Sequence, residues 1–211
     1  MSTVALGVSP DTNGAGVTPL VHRRIIGAQW ANTGLVDGLN VTGRSDLRYN
    51  VSAGVAVCSR GDSDGKTLAY YEGGKTNAVA AGDPSNPRID IVWIQAHNLM
   101  EYKDSDNYVT VGVTQGSPSA SLAEPTIPAG ATMLRKMKMP AGASSTASAV
   151  QMWSADYAIP YGASLGKIGE NWDRRDMTGD STVKKYYFEQ QIDFDLPSDR
   201  MLELSFKCNF S

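Results

Sequence analysis

The chain is poor in the residues that most often carry chemistry: its 211 residues include two histidines and two cysteines. His22 falls in a helix-like stretch and His97 at a strand end, and no His-Glu-x-x-His or phosphate-cradling glycine loop occurs. Nucleophile and base meet in space rather than in sequence, so a Ser-His-Asp or Cys-His pair stays open on this count. The expectation is nevertheless a protein without catalytic activity, cofactor or metal. Cys58 and Cys208 each sit in an apolar, strand-like context with nothing to force their Cβ atoms together, and are read as buried free thiols. A basic excess is missing as well. The formal net charge is −3 and the pI is near 5.4, which leaves no footprint for neutralising phosphates and argues against nucleic acid as a partner. No run of about 18 apolar residues occurs, and the N-terminus has neither a basic n-region nor a long apolar h-region. Neither a membrane span nor secretion is expected, and synthesis in a cytosol is.

What is plentiful is punctuation. With 21 glycines and 10 prolines, in a chain that is 41% hydrophobic and 19% charged, the composition is that of a globular protein with many turns and short strands. The length suits one large domain or two small ones of about 100–200 residues. The fold class is mainly β: a compact β-sandwich or barrel with a short N-terminal helix, then a linker and a second, smaller β extension. The boundaries are an arm at 1–17, a β-rich domain at 18–145, and an aromatic-rich extension at 146–211.

Thr18-Pro19 is a helix start, with Thr18 able to cap and Pro19 acceptable at the first helical position. Val21, Ile25 and Ala28 then share a face, which predicts a helix over 19–30 with Arg23 and Arg24 on its solvated side, where they could also meet an acidic neighbouring subunit. Strand-like runs follow at 39–42, 48–53, 55–59, 67–71 and 76–81, joined by turn-rich connectors such as Arg60-Gly61-Asp62-Ser63-Asp64-Gly65. The stretch 86–140 organises the rest. Ile89, Ile91 and Trp93 share one strand face and Val92 and Ile94 the other, so this strand is buried on both sides. Val109, Val111 and Val113 alternate with Thr110, Gly112 and Thr114, the pattern of a half-exposed strand. Residues 141–149, an Ala/Ser/Thr run, read as a linker or a wrapping arm. Beyond them, 186–196 and 200–210 are strand candidates joined by Pro197-Ser198-Asp199. An isolated strand pair is marginal in water, so this pair either docks elsewhere or belongs to a product that continues past Ser211.

The ordered series Pro87-Arg88-Ile89-Asp90-Ile91-Val92, then Val111 to Pro118, then Pro125-Thr126-Ile127-Pro128-Ala129-Gly130, then Pro140-Ala141-Gly142-Ala143 resembles the N-terminal attachment module of long-tailed phage tail-tip proteins. These are minor tail, upper-baseplate and tail-fibre proteins, particularly of phages that infect actinobacteria. Gly34-Leu35-Val36-Asp37-Gly38-Leu39-Asn40-Val41-Thr42 and the run from Tyr49 to Val57 are similar to the same family, so the likeness spans about residues 15–145. Arg135-Lys136 departs from it, since relatives more often carry small or apolar residues there, and suggests a solvated or partner-facing strand. The resemblance implies a non-catalytic virion protein of the tail tip or baseplate. It further implies homotrimeric assembly, contacts with other tail or baseplate proteins, and a role in host attachment. A capsid decoration or head-fibre protein is the alternative that the motifs separate least well.

Among candidate sites, Trp153, Tyr157, Tyr161 and Trp172 stand out, set among Gly, Ser, Asn and Asp. They suit stacking on a host cell-surface glycan or packing between subunits, with subunit packing the leading reading. The remaining motifs have plainer readings. Arg60-Gly61-Asp62 matches an integrin-type tripeptide but sits in a turn-rich string. Asp62-Ser63-Asp64-Gly65 opens like a calcium loop but lacks its closing glutamate, and Asp104 and Asp106 are read as equally solvated. Asn40-Val41-Thr42, Asn50-Val51-Ser52 and Asn209-Phe210-Ser211 match the glycosylation tripeptide without a secretion signal. A glycan depolymerase would need paired carboxylates, and Asp173 and Asp176, flanked by Arg174 and Arg175, are weak candidates.

Overall fold

The helix forms where its cap predicts. In a computed structural model describing residues 12–14, 16–153, 156–163 and 204–205, α1 spans Pro19–Gly27, and Thr18 Oγ1 accepts a hydrogen bond from Val21 N at 3.3 Å. It stops before residue 30, so Ala28 lies past its end and is exposed. Arg23, expected on the solvated side, is the helix's one buried residue, while Arg24 is exposed as expected.

The strands are β1 (Gly34–Gly38), β2 (Val41–Gly43), β3 (Tyr49–Val51), β4 (Gly54–Gly61), β5 (Gly65–Tyr71), β6 (Gly74–Lys75), β7 (Arg88–Ala96), β8 (Val109–Gln115), β9 (Thr132–Met139) and β10 (Val150–Trp153), with a helical turn α2 at Leu99–Tyr102. They form three antiparallel sheets, in the orders β10-β9-β7-β8, β1-β4-β5 and β2-β3-β6. The first two face each other in a sandwich-like arrangement: Ala56, Cys58 and Ala69 from one sheet and Val92, Ile94, Val111, Val113 and Leu134 from the other share one apolar core. Thr132 Oγ1 also donates across it to Val57 O. The third sheet adds Val41, Tyr49 and Val51 to that core. The fold is therefore mainly β, as expected, with no closed barrel among the described residues. Among them, too, no helix is long and apolar enough to cross a membrane.

β7 is buried on both faces, as its pattern predicts. Val92 and Ile94 point into the shared core; Ile89 and Ile91 lie buried on the opposite face. The Pro-rich segment 116–131 is tied across that sheet by Ser119 N donating to Pro87 O (3.0 Å), Lys136 paired with Glu124 (2.6 Å) and Gln95 Nε2 donating to Ala129 O (3.0 Å). β8 alternates as expected, but its second face is not simply wet. Gly112 lies under the Trp93 indole, whose Nε1 donates to Thr114 Oγ1 at 3.0 Å.

Three further expectations are corrected. Residues 76–81 form no strand; they run beside β8 and supply its edge through side chains. Asn77 accepts from Val113 N (2.8 Å) and donates to Val113 O (3.2 Å), mimicking a strand partner, and Gln115 Oε1 accepts from Ala80 N (2.7 Å). Arg135 is buried rather than solvated, because the pairing of β7 with β9 shifts register there and brings Leu134 and Arg135 inward together; its Nη1 donates to Leu134 O (2.8 Å). Of the two readings of 141–149, linker and wrapping arm, the loose linker fails. Thr146 is fully buried, and its hydroxyl accepts from Arg44 N (2.9 Å) and donates to Arg48 O (2.5 Å), pinning the 44–48 loop. β10 then pairs with β9, and the chain divides into two compact units, Met1–Tyr161 and Gly162–Ser211. Cys58 is a buried free thiol, and burial raises its pKa. Cys208, both C-terminal strand candidates, and Asp173 and Asp176 lie outside the described residues.

The charged residues of Pro87-Arg88-Ile89-Asp90 are buried too. Asp90 is 0% exposed and Arg88 1%. Arg88 Nε donates to Asp90 Oδ1 (2.8 Å), Arg88 Nη1 and Nη2 donate to the carbonyls of Ala81 (2.8 Å) and Ala80 (2.6 Å), and Tyr49 OH donates to Asp90 Oδ2 (3.0 Å). Burial, and then the neighbouring Asp90 charge, raise the Tyr49 pKa, so its hydroxyl stays a donor. This network ties β3, β7 and the 76–81 segment together.

Candidate functional site: two clefts beside the helix

α1 lies against β5, and a cleft opens on each side of that contact. The closeness is set by glycine: Gly65 sits at φ +86 against the Arg23 backbone, where a Cβ would lie 2.6 Å from Arg23 C and 2.8 Å from Arg24 N.

The first cleft, about 420 Å³, is lined by His22, Arg23, Arg60, Asp64, His97 and Tyr102 together with apolar side chains such as Ile26 and Leu68. Its charges are already engaged. Arg23 forks onto Asp64, with Nη2 to Oδ1 at 2.6 Å and Nε to Oδ2 at 3.0 Å, and lies 3.5 Å from Glu101. Burial pushes the Asp64 carboxyl up, but hydrogen bonds from Arg23 and Tyr102 outweigh it and leave the pKa below the usual carboxylate range. Arg60 pairs with Asp104 and lies over the Tyr102 ring, 4.9 Å from its centroid. The backbone N–H of Asn98, first of all, and then Arg60 lower the Asp104 pKa. Asp106 accepts from Tyr108 N (3.0 Å) and meets His97 Nδ1 at 2.9 Å, and the Tyr108 bond is the main reason its pKa is low. This cleft is an interlock: two ion pairs clamp α1, the β4–β5 hairpin and the α2 crest of the β7–β8 hairpin. Asp64, Asp104 and Asp106 are thus structural rather than merely solvated. Arg60-Gly61-Asp62 is not presented as a tripeptide, since the Arg60 side chain is committed inward. No sequence signal marked the Arg23–Asp64 pair, whose members lie far apart in the chain and meet only through the packing of α1 on β5.

The second cleft, about 340 Å³, is lined by Arg24, Ser59, Asp62, Lys66 and Tyr161, with Gly27, Ala31 and Gly65 closing it. Here the polar groups are largely unspent. Arg24 makes one long bond, from Nη2 to Ser63 O at 3.4 Å, and among the described residues no hydrogen bond engages the Asp62 carboxylate or the Tyr161 hydroxyl. Lys66 donates to Trp30 O, and burial lowers its pKa against the upward pull of Asp62.

Of the four aromatic candidates, the structure brings one into a cleft. Tyr161 is 56% exposed at the mouth of the second cleft, its N–H donating to Gln29 O (2.9 Å). Tyr157 is 61% exposed, in a segment that pairs in parallel with Leu35 and so covers the edge of β1. Trp153 ends β10 opposite Lys136, and Trp172 lies outside the described residues. Sequence reasoning did not connect Arg24, Asp62 or Lys66 with Tyr161, because a sequence separation of nearly a hundred residues or more hides the juxtaposition. Among the described residues, no group of three or more His, Cys, Asp or Glu side chains is disposed to hold a metal ion.

Compared with protein-family models, curated proteins and solved structures, the chain has no match in any of the three.

Proposed function

We propose that the protein is a structural component of a phage tail tip or baseplate, a minor tail protein whose unit Met1–Tyr161 attaches it to the virion. Its work is binding: to copies of itself, as a homotrimer, and to other tail or baseplate proteins, in support of host attachment. The observation that carries this reading is the ordered motif series between Gly34 and Ala143. Its physical roles give the series weight beyond spacing. Arg88 and Asp90 form the buried pair; Val111 and Val113 enter the core; the segment through Ile127-Pro128 is tied across the central sheet. Pro140 to Ala143 turns back onto the 80–83 segment through Gly82 N to Ala143 O (2.7 Å) and Gly142 N to Asp83 O (2.8 Å). The series therefore specifies one architecture rather than scattered short matches.

The test is gold-tagged antibody labelling of intact virions of the source phage, viewed by electron microscopy. Gold at the tail tip is the expected result. Gold on the head would replace this reading with the capsid-decoration or head-fibre alternative, and an unlabelled virion would overturn both. Light scattering of the purified chain checks the assembly clause, which fails if only monomer is present at micromolar concentration.

A further inference from the structure

We propose that the second cleft is a saccharide subsite, and that the ring it takes carries an anionic group, a carboxylate or a phosphate. The chemistry of the lining is that of sugar recognition: an exposed aromatic face, donors and an acceptor that the fold has left unspent, and a volume within the range of small-ligand sites, about 300–1,000 Å³. Tyr161 supplies the face. Arg24, with five donors and one long bond to Ser63 O (3.4 Å), supplies a planar fork suited to a carboxylate or phosphate. Asp62 accepts from ring hydroxyls, and Lys66, fixed by its bond to Trp30 O, offers its remaining donors.

Charge selects the ligand. Two cations face one carboxylate in the cleft, so a neutral ring leaves a cation unmatched and an anionic ring does not. The first cleft lacks this property, because its guanidiniums are held by Asp64 and Asp104.

The site is also held in place before any ligand arrives. Asn32 bonds both ways with the segment that carries Tyr161, donating to Tyr157 O (2.9 Å) and accepting from Ile159 N (2.7 Å). Ala31 N donates to Ile159 O (2.7 Å) and Tyr161 N to Gln29 O (2.9 Å). The aromatic therefore rests on a strap pinned to the end of α1, which reduces the ordering that binding would otherwise require.

Saturation-transfer NMR of the full chain with glucuronic acid, glucose 6-phosphate and glucose tests this. Transfer to at least one of the two anionic sugars is expected, and which of them responds distinguishes carboxylate from phosphate. Glucose should bind about tenfold or more weaker, as the loss of a charge-assisted bidentate contact implies. Tyr161→Ala and Arg24→Gln, both at exposed positions, should each weaken binding about tenfold or more while the melting temperature stays at the wild-type value. The proposal is overturned by the absence of transfer from all three sugars, by glucose binding as well as the anionic rings, or by undiminished binding in Tyr161→Ala. This site does not depend on where the protein sits in a virion, so the antibody experiment and the sugar titration can fail separately.

Discussion

Asp90→Ala is the most demanding test of the reasoning about the buried network. The carboxylate is fully buried and accepts from Arg88 Nε (2.8 Å), Arg88 Nη2 (3.3 Å) and Tyr49 OH (3.0 Å). Without it, the buried Arg88 cation keeps only the carbonyls of Ala80 and Ala81, and the Tyr49 hydroxyl has no acceptor. Breaking a buried pair by removing one partner costs about 3–5 kcal/mol, because the surviving charge is left uncompensated. A domain of this size is stable by about 5–15 kcal/mol, so the substitution consumes about a fifth of the total or more. At about 2–4 °C per kcal/mol the melting temperature should fall by about 6–20 °C. Tyr49→Phe removes one hydrogen bond to a carboxylate that keeps Arg88, and should cost about 1.5–3 kcal/mol. Urea unfolding of wild type, both single variants and the double variant measures all three values and their coupling. The double variant should cost less than the two singles summed, because Asp90→Ala already removes the bond that Tyr49→Phe deletes. An Asp90→Ala cost below about 1 kcal/mol would refute the assignment, as would a Tyr49→Phe cost exceeding it.

Three other substitutions probe separate parts of the fold. Gly112→Ala would place a methyl 2.6 Å from Trp93 Cη2 and 2.9 Å from Cε2; it should cost about 1–3 kcal/mol and shift tryptophan emission as the indole leaves Thr114. Asn77→Ala strips the edge of β8 of two hydrogen bonds at Val113; a loss of about 1–3 kcal/mol and faster self-association by light scattering are expected, with Asn77→Asp keeping the acceptor and falling between. Asp64, Asp104 and Asp106 all have lowered folded pKa values. For such groups the unfolded chain binds protons first, so their contribution is complete above the unfolded value, about 3.9, and drains away as pH falls through the folded one. Unfolding free energy should therefore drop below about pH 4, and Asp64→Asn should both lower stability at neutral pH and flatten that drop, as read by urea midpoints across the acid range.

The apolar architecture was legible because it is periodic. Ile89, Ile91, Val92 and Ile94 predicted a strand buried on both sides, and β7 is one. Thr18-Pro19 predicted the helix start. What periodicity could not carry was the fate of charged and polar side chains. Arg23 and Arg135 read as solvated, and nothing in residue type marks Arg88 or Asp90 for burial; each of the four is buried because a partner from elsewhere in the chain, or a register shift, makes burial tolerable. The run 76–81 looked like a strand by residue type; Asn77 gives the edge its hydrogen bonds from a side chain, which no alternation of residue types records. Residues 141–149 read as a linker or a wrapping arm because small residues are weak structural signals, and one buried hydroxyl, Thr146, fastens them to the 44–48 loop.

These corrections bear on how far the motif series reaches toward function. Arg88 and Asp90 are buried in a network that holds β3, β7 and the 76–81 segment, and Val111 and Val113 are core residues. Selection for that scaffold would retain such residues whatever the protein touches, so a likeness through them speaks to architecture rather than to a ligand. Ligand chemistry has to be sought where the scaffold makes no demand. By that criterion the first cleft is a poor candidate, since its ion pairs clamp three elements together and a ligand would have to displace them. The second is a good one. Arg24→Gln removes a guanidinium that the fold uses for one long bond, so an effect on sugar binding without an effect on melting temperature would separate recognition from architecture at a single residue.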